Sequence, residues 1–551
     1  MIDGLFRPRP SPWFGEKPIR EELFGLERLH DHARSLAWAQ ASDTVPRRGV
    51  SLNARLADNE ARLRQTFRAT TLALQVAMPI TPAAEWLVDN FHLVERHIRD
   101  VRANLPPAFY RLLPKLVAGP FVGFPRVFGI AWAYVAHTDS RFDAEALTGF
   151  MRAYQEVQPL TIGELWAVAT TLRIVLIENL RRFAVRIEHS QADRQSADAL
   201  ADRLLGVDTG VAEPAAVVLA GHRGPVSDAF AVQFVHRLQS HGDGVVQALT
   251  WLDAQLAERG TNSNAAIISE QERQIGATVT VRNIITSMRV MAEIDWSVLF
   301  EKMSPVDDLL AANDTYRAMD FASRNHYRTA IEALARSSPL SEIEVAARAL
   351  QAAGKARFAD GTSDPRRGDP GYYLVAAGRP LLEAQIGYHA PIRVWPRRLS
   401  RRLGLSGYGA VIMVAAALIL LVPVLALVGM KIAPAWVLLL LLLGAIPALD
   451  AAVALVNAGV MRAIPATFLP ALELRQGVPE DLRTLVAVPV MLTSAHGIAE
   501  QIETLEIHHL ASLEGDVHFA LLSDWADAPA ETQAADAALL ALASEGIATL
   551  N

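Results

Sequence analysis

Cysteine is missing from all 551 residues, which excludes disulfides, thiolate zinc sites and a cysteine nucleophile at once. Also missing are a Gly-x-x-x-x-Gly-Lys-Ser/Thr loop, a Gly-x-Gly-x-x-Gly turn and a Gly-x-Ser-x-Gly elbow. P-loop ATPase, dinucleotide and α/β-hydrolase chemistry are therefore not the first readings. There is no excess of positive charge. A formal net charge of −7 argues against a general nucleic-acid binder, so no nucleic-acid partner is expected. The N-terminus has no apolar core of signal-peptide length. It interleaves Arg7, Arg9, Lys17 and Arg20 with Pro8, Pro10, Pro12 and Pro18, so the region that follows is expected to stay in the cytoplasm. No internal repeat of fixed period is visible.

What the chain has in excess is apolar length. Hydrophobic residues make up 51% of it, and most of the surplus falls in 408–456. Two apolar runs, 409–428 and 435–456, flank the break Gly429-Met430-Lys431-Ile432-Ala433-Pro434. A helix rising about 1.5 Å per residue needs about 20 residues to cross a hydrocarbon core of roughly 30 Å. The stretch predicts a two-helix transmembrane hairpin with the lipid bilayer as partner. Arg393, Arg397, Arg398, Arg401 and Arg402 precede the first run, against Lys431 in the turn and Arg462 after the exit. The positive-inside rule puts both ends of the hairpin in the cytoplasm.

Before the hairpin the apolar residues recur at helical spacing, in 52–76 and 83–105 among others. Thr81-Pro82-Ala83-Ala84-Glu85 has the order of a helix start, with Thr81 as N-cap, Pro82 at N1 and an acid in the first turn. Thr161 and Glu164 have capping-box spacing ahead of a helix over 165–187 that is apolar on nearly all sides. That helix is expected to be buried. A more polar stretch, 191–225, is expected to link two helical regions. The chain thus divides into helical regions 1–205 and 206–400, the hairpin at 408–456, and a final segment at 474–551.

The final segment alternates strand and helix patterns. Leu485-Val486-Ala487-Val488-Pro489-Val490-Met491-Leu492 and 517–522 are β-rich apolar runs suited to strands buried on both faces of a parallel sheet, with helices over 494–513 and 529–543. The fold class is mainly α, ending in a β-α-β-α series that opens a doubly wound α/β domain. Two strands alone leave their edges unpaired, so the expectation is a chain that stops inside this domain. Ligands in such sheets sit outside the carboxyl ends of the strands. The second strand ends at Ser523-Asp524-Trp525-Ala526-Asp527. Asp524 there can accept hydrogen bonds from a uracil N–H or a ribose hydroxyl, with Asp527 in support, although both could be plain cap and loop acids.

Other polar clusters are weaker candidates. Glu85, Asp89 and His92 share one helix face at i, i+4 and i+7, a spacing compatible with a metal site, but a buried salt-bridge and hydrogen-bond network between helices is the ordinary reading. Asp139 or Asp143 is suited to capping the next helix, His508-His509 lacks a third ligand nearby, and Asp450 falls inside the second apolar run.

Several long words in the chain point to a family. They are Ile80-Thr81-Pro82-Ala83-Ala84-Glu85-Trp86-Leu87-Val88-Asp89-Asn90-Phe91-His92, the stretch 105–116 beginning Leu105-Pro106-Pro107, 131–143, 157–167, and Gly477-Val478-Pro479-Glu480-Asp481-Leu482. Through them the chain resembles the N-terminal part of a cyclic β-1,2-glucan synthase, a large bacterial inner-membrane enzyme. The resemblance implies a multi-pass glucosyltransferase with UDP-glucose as donor, a growing glucan as acceptor, and a GT-A-like transferase domain after membrane helices on the cytoplasmic side. Asp524 and Asp527 then fall at the nucleoside end of the donor site. The resemblance also implies a divalent cation, Mg or Mn, held by an Asp-x-Asp motif that lies with the catalytic base in the remainder of the synthase. The isolated chain is accordingly expected to be inactive. A membrane-anchored scaffold or regulatory subunit for a separate catalytic chain is the alternative.

Overall fold

The computed structural model describes residues 15–43, 49–76, 78–207, 213–238, 245–358, 365–391, 395–430, 432–463, 468–474, 477–512, 515–531 and 533–551. Arg7, Arg9, Arg393 and Lys431, on which the sidedness expectation draws, lie outside the described residues. The chain forms two compact units, Met1–Leu309 and Leu310–Asn551.

The first unit is helical. It comprises α1 (Leu26–Ala39), α2 (Leu52–Gln75), α3 (Pro82–Asp89), α4 (Phe91–Asn104), α5 (Pro107–Leu112), α6 (Arg126–His137), α7 (Ala144–Gln155), α8 (Ile162–Leu205), α9 (Ala215–Gly221), α10 (Asp228–Leu238), α11 (Val245–Glu258), α12 (Ser263–Glu293), α13 (Trp296–Met303) and α14 (Pro305–Leu310). Two short strands, β1 (Ser42–Asp43) and β2 (Lys115–Leu116), pair antiparallel. The axis of the unit is α8, against which α2, α4, α6, α10, α12 and α13 pack.

The expected caps form. Thr81 Oγ1 accepts from the Ala84 N–H at 3.3 Å. Thr161 Oγ1 accepts from the Glu164 N–H at 3.2 Å while Glu164 Oε2 accepts from the Thr161 N–H at 3.0 Å, the reciprocal pair of a capping box. From Ile162 to Ala184 nearly every residue is buried, as the continuous apolar pattern requires. The helix then runs on to Leu205 through part of the stretch expected to be a linker. There Ala197, Leu200 and Ala201, spaced i, i+3 and i+4, line a second core with Phe230, Phe234 and Leu252. Gly206, at φ 67°, ends it in the left-handed conformation that glycine adopts without penalty.

Burial of α8 draws charges inside, where one carboxylate gathers three arginines. Glu178 is fully buried. Its Oε1 accepts from Arg181 Nη2 at 3.1 Å, Arg182 Nε at 2.8 Å and Arg55 Nη2 at 3.2 Å, and its Oε2 accepts from Arg55 Nε at 3.2 Å. Arg181 also reaches Glu16 at 2.8 Å and Arg182 the Lys17 carbonyl at 2.6 Å, which ties the incoming chain to the helix.

His97 on α4 is buried beside the same helix. Its Nε2 lies 2.8 Å from the Met288 carbonyl, which can only accept, so Nε2 carries the proton and Nδ1 accepts from Arg173 Nε at 3.1 Å. Burial, ahead of the Arg173 charge, lowers its pKa to about 4 from the ordinary 6.5. Between those values the unfolded chain binds the proton and the folded chain does not. Stability present above about pH 6.5 is therefore lost as pH falls towards 4. Urea midpoints should fall across that window. His97→Gln, whose amide can donate to Met288 and accept from Arg173, should flatten the fall; an unchanged slope would contradict this assignment.

The second unit begins with α15 (Asp314–Ala318), α16 (Phe321–Ala335), α17 (Glu342–Phe358), α18 (Pro370–Leu374) and α19 (Arg379–Gln385). Then come α20 (Trp395–Gly429) and α21 (Pro434–Ala463), packed antiparallel about Ile412, Ala416 and Ala452. Within them Gly404–Gly429 and Pro434–Arg462 are long and apolar enough to cross a membrane. Most of their apolar surface is uncovered by the chain itself, the opposite of a soluble core helix. The Tyr408 hydroxyl donates to Asn457 Oδ1 at 2.6 Å and closes the open end of the hairpin. Beyond it, the Glu473 N–H donates to the Ala318 carbonyl at 2.9 Å, so the chain returns to the helices that precede the hairpin. The unit ends with β3 (Thr484–Leu492), α22 (Ala495–Ala511), β4 (Val517–Trp525) and α23 (Asp536–Leu550).

Candidate functional site

The alternating strands form a parallel pair, with Thr484 opposite Val517 and Leu492 opposite Trp525. Side chains alternate along a strand, so one face carries Val488, Val490 and Leu492 of β3 with Trp525 of β4. That face is covered by α22 and α23, where Leu492, Ile498 and Ala543 make the core with Val490, Ile502, Trp525 and Leu539 against them. The other face is bare. Leu485 is 64% exposed, Met491 54% and Leu522 64%. The expectation of strands buried on both faces is thus not met within the described residues: one face is bare, and on the other Leu492 is buried while Val488, Val490 and Trp525 are half-buried. The second layer of a doubly wound domain has no counterpart among them.

The base of the strand pair is built from polar contacts that the sequence did not advertise. Asp516 Oδ2 accepts from Arg483 Nε at 2.8 Å, and its Oδ1 lies 2.7 Å from His518 Nε2; these hydrogen bonds hold its carboxyl below the usual range. Gly515, at φ 124°, bridges Val478 so closely that a Cβ would stand 2.2 Å from the Val478 nitrogen. At the opposite end Ser494 caps α22, accepting from the Gly497 N–H at 3.2 Å.

Asp524 stands at the carboxyl end of β4, opposite Met491, in the row that faces the bare side. Its Oδ1 accepts from the Trp525 N–H at 2.8 Å and the carboxylate is exposed. Trp525, packed into the helix-covered core, fixes the strand end that presents Asp524 outward. Asp527 follows in the loop, exposed as well. The geometry thus brings two carboxylates to the edge where an open parallel sheet meets its ligand.

The remaining candidates take structural places. Glu85, Asp89 and His92 do not share a helix, because the chain breaks at Asn90 (φ −114°, ψ 17°) between α3 and α4. Glu85 and Asp89 are exposed on α3. His92 instead lines a cavity of about 340 Å³ with Arg64, Phe67, Arg68, Val88, Phe91 and Glu95. Asp143 caps α7 by accepting from the N–H groups of Glu145 and Ala146, while Asp139 accepts from Thr280 Oγ1 at 2.7 Å. His509 meets the edge of Phe519 at 5.7 Å. Asp450 is exposed on α21. Among the described residues no group of three or more His, Asp or Glu could hold a metal ion.

No protein-family model matches the chain. Over 536 residues, 97% of its length, it is 36% identical to the cyclic β-(1,2)-glucan synthase NdvB of Rhizobium meliloti (strain 1021). It spans 19% of that relative's length. The membrane-length hairpin and the parallel strands lie within a match that takes in nearly the whole chain, so the chain is similar over almost all of its own length to a cyclic β-1,2-glucan synthase.

Proposed function

We propose that this chain is the N-terminal portion of a membrane-bound, UDP-glucose-dependent glucosyltransferase that makes cyclic β-1,2-glucan. The observation that carries the reading is the 36% identity sustained across 97% of the chain. Asp524, exposed at a parallel strand end after the hairpin, gives it a chemical place. Its carboxylate oxygens accept from the uracil N–H or a ribose hydroxyl and hold the nucleoside at the sheet edge, with Asp527 beside it. The bare face of β3 and β4 is covered by further strands and helices in the remainder of the synthase. The hairpin lies in the inner membrane as part of a multi-pass bundle, with both flanks in the cytoplasm, where the nucleotide sugar and the growing glucan meet.

The divalent cation that the resemblance implies does not fit the residues described here. Asp524 and Asp527 are two lone exposed carboxylates, and no cluster of three stands near them. The chain's own contribution is to bind and orient the nucleoside.

The test is glucose incorporation from labelled UDP-glucose by membranes of a strain that lacks its own synthase. The chain by itself should give none. The same chain exchanged for the matched region of the R. meliloti synthase should give cyclic β-1,2-glucan. Incorporation by the chain alone would overturn the division of labour proposed here.

A further inference from the structure

The C-terminal end of α2 exposes large apolar side chains on opposite sides, with Thr71 and Gln75 between them. Leu72, Leu74 and Val76 are 62%, 45% and 61% exposed, and Met78, just past the helix, is 38% exposed. Residues two apart on a helix point about 200° from one another, so this is an uncovered tip and not the edge of a buried stripe. The helix stops there, with the Met78 N–H donating back to the Ala73 carbonyl at 2.9 Å and Pro79 following. Nothing among the described residues of the unit buries these side chains.

One turn below Leu72 on the same face stand Arg68 and then Arg64, at i−4 and i−8. They line the 340 Å³ cavity, whose apolar wall is the stacked pair Phe67 and Phe91, 4.3 Å between centroids, with Val88 beside it. Arg64 is engaged by Glu95 at 2.7 Å and Glu60 at 3.1 Å, and Arg102 also reaches Glu60. Arg68 and His92 have no hydrogen bond or ion pair among the described residues. Of the charged residues that line the cavity, Arg64 and Arg68 stand against Glu95 alone, which leaves one positive charge over. The exposed carboxylates of α3, Glu85 and Asp89, do not line it.

An apolar tip with a cationic collar one turn behind it has the order of a side chain set that enters a bilayer edge, acyl region first and phosphate level second. The same chain carries two helices long and apolar enough to cross a membrane, which gives the protein a bilayer to meet. We propose that Leu72, Leu74, Val76 and Met78 at the α2 tip seat in the surface of an anionic phospholipid bilayer, and that Arg68 and the cavity beside it take a lipid phosphate. The first unit is then held to the membrane at a second point besides the hairpin. This holds whether or not the catalytic reading does.

The lack of cysteine gives a clean experiment, because a single introduced thiol is the only one to label. The full chain carrying Val76→Cys, or Val246→Cys on α11 as the exposed control, is labelled with an environment-sensitive fluorophore. It is reconstituted into phosphatidylcholine vesicles with and without phosphatidylglycerol. Nitroxides on the lipid acyl chains are expected to quench the label at position 76 several-fold more than at position 246. The excess should grow with phosphatidylglycerol, and Arg68→Gln should abolish that growth. Equal quenching at the two positions overturns the proposal. So does shielding at position 76 that persists in detergent and ignores the nitroxides, which would mean that a second copy covers the tip. Excess quenching that is the same in both vesicle types overturns the phosphate assignment.

Discussion

Glu178→Ala is expected to destabilise the helical unit by about 3–5 kcal/mol, the usual cost of removing one partner from a buried ion pair. Glu178 is fully buried, and Arg181 and Arg182 are only 3% exposed by side chain. Without the carboxylate, Arg55, Arg181 and Arg182 lose the one buried acid they share, and Asp58 and Glu16 answer Arg55 and Arg181 only from the solvent side. The loss would spread to the segment around Ile19, whose N–H donates to Asn179 Oδ1 at 2.7 Å. The urea midpoint of the full chain in detergent, followed by helical circular dichroism, checks the magnitude. Glu178→Ala combined with Arg182→Met should recover part of the loss, because the second change removes one of the stranded charges. A loss under about 1 kcal/mol would mean that the site relaxes to admit water.

Gly515→Ala is the counterpart in the second unit. Its φ of 124° is a conformation that side-chain-bearing residues rarely adopt, which costs about 1–3 kcal/mol. The added Cβ would also meet the backbone of Val478 at 2.2 Å and 2.4 Å, a clash costing about 1–3 kcal/mol more. Neither term can be relieved by a rotamer change, since the obstructing atoms are main chain. The expected result is loss of the Val478 bridge, seen as fast hydrogen exchange at Asp516 and along the start of β3 and β4, while the first unit keeps its protection. Unchanged exchange at Asp516 would contradict the bridge as described.

The parts of this fold that announce themselves in the sequence do so through local chemistry. Thr81-Pro82 and the Thr161/Glu164 pair are caps whose partners lie within one turn, so their spacing alone specifies them. The hairpin is visible because its apolar residues have no period. The extension of α8 to Leu205 is hidden, because two of its three core residues there are alanines set among charges, and their burial depends on Phe230 and Phe234, which come later in the chain. The break at Asn90 has no proline or glycine to mark it. It divides the residues that spacing alone had grouped, turning His92 towards α2 and away from Glu85 and Asp89. The cavity that His92 joins draws on two separate helical stretches, 64–68 and 88–95, and helical periodicity says nothing of such meetings. For the candidate site, the β-rich runs locate Asp524 at a strand end. Which face of the strand pair stays bare follows only from how α22 and α23 both settle on the side of Leu492 and Trp525.

The most direct measurement is glucose transfer by the R. meliloti synthase in which this chain replaces the matched region, with Asp524 intact or changed to Asn. The account predicts that Asp524→Asn lowers glucan synthesis about 10- to 100-fold, the rate equivalent of the roughly 1.5–3 kcal/mol in a hydrogen bond to a charged group. Membrane insertion should be unchanged, and most of the loss should appear as a raised KM for UDP-glucose. Equal synthesis by the two proteins at low UDP-glucose would contradict the account, and would remove the strand end of β4 from the donor site.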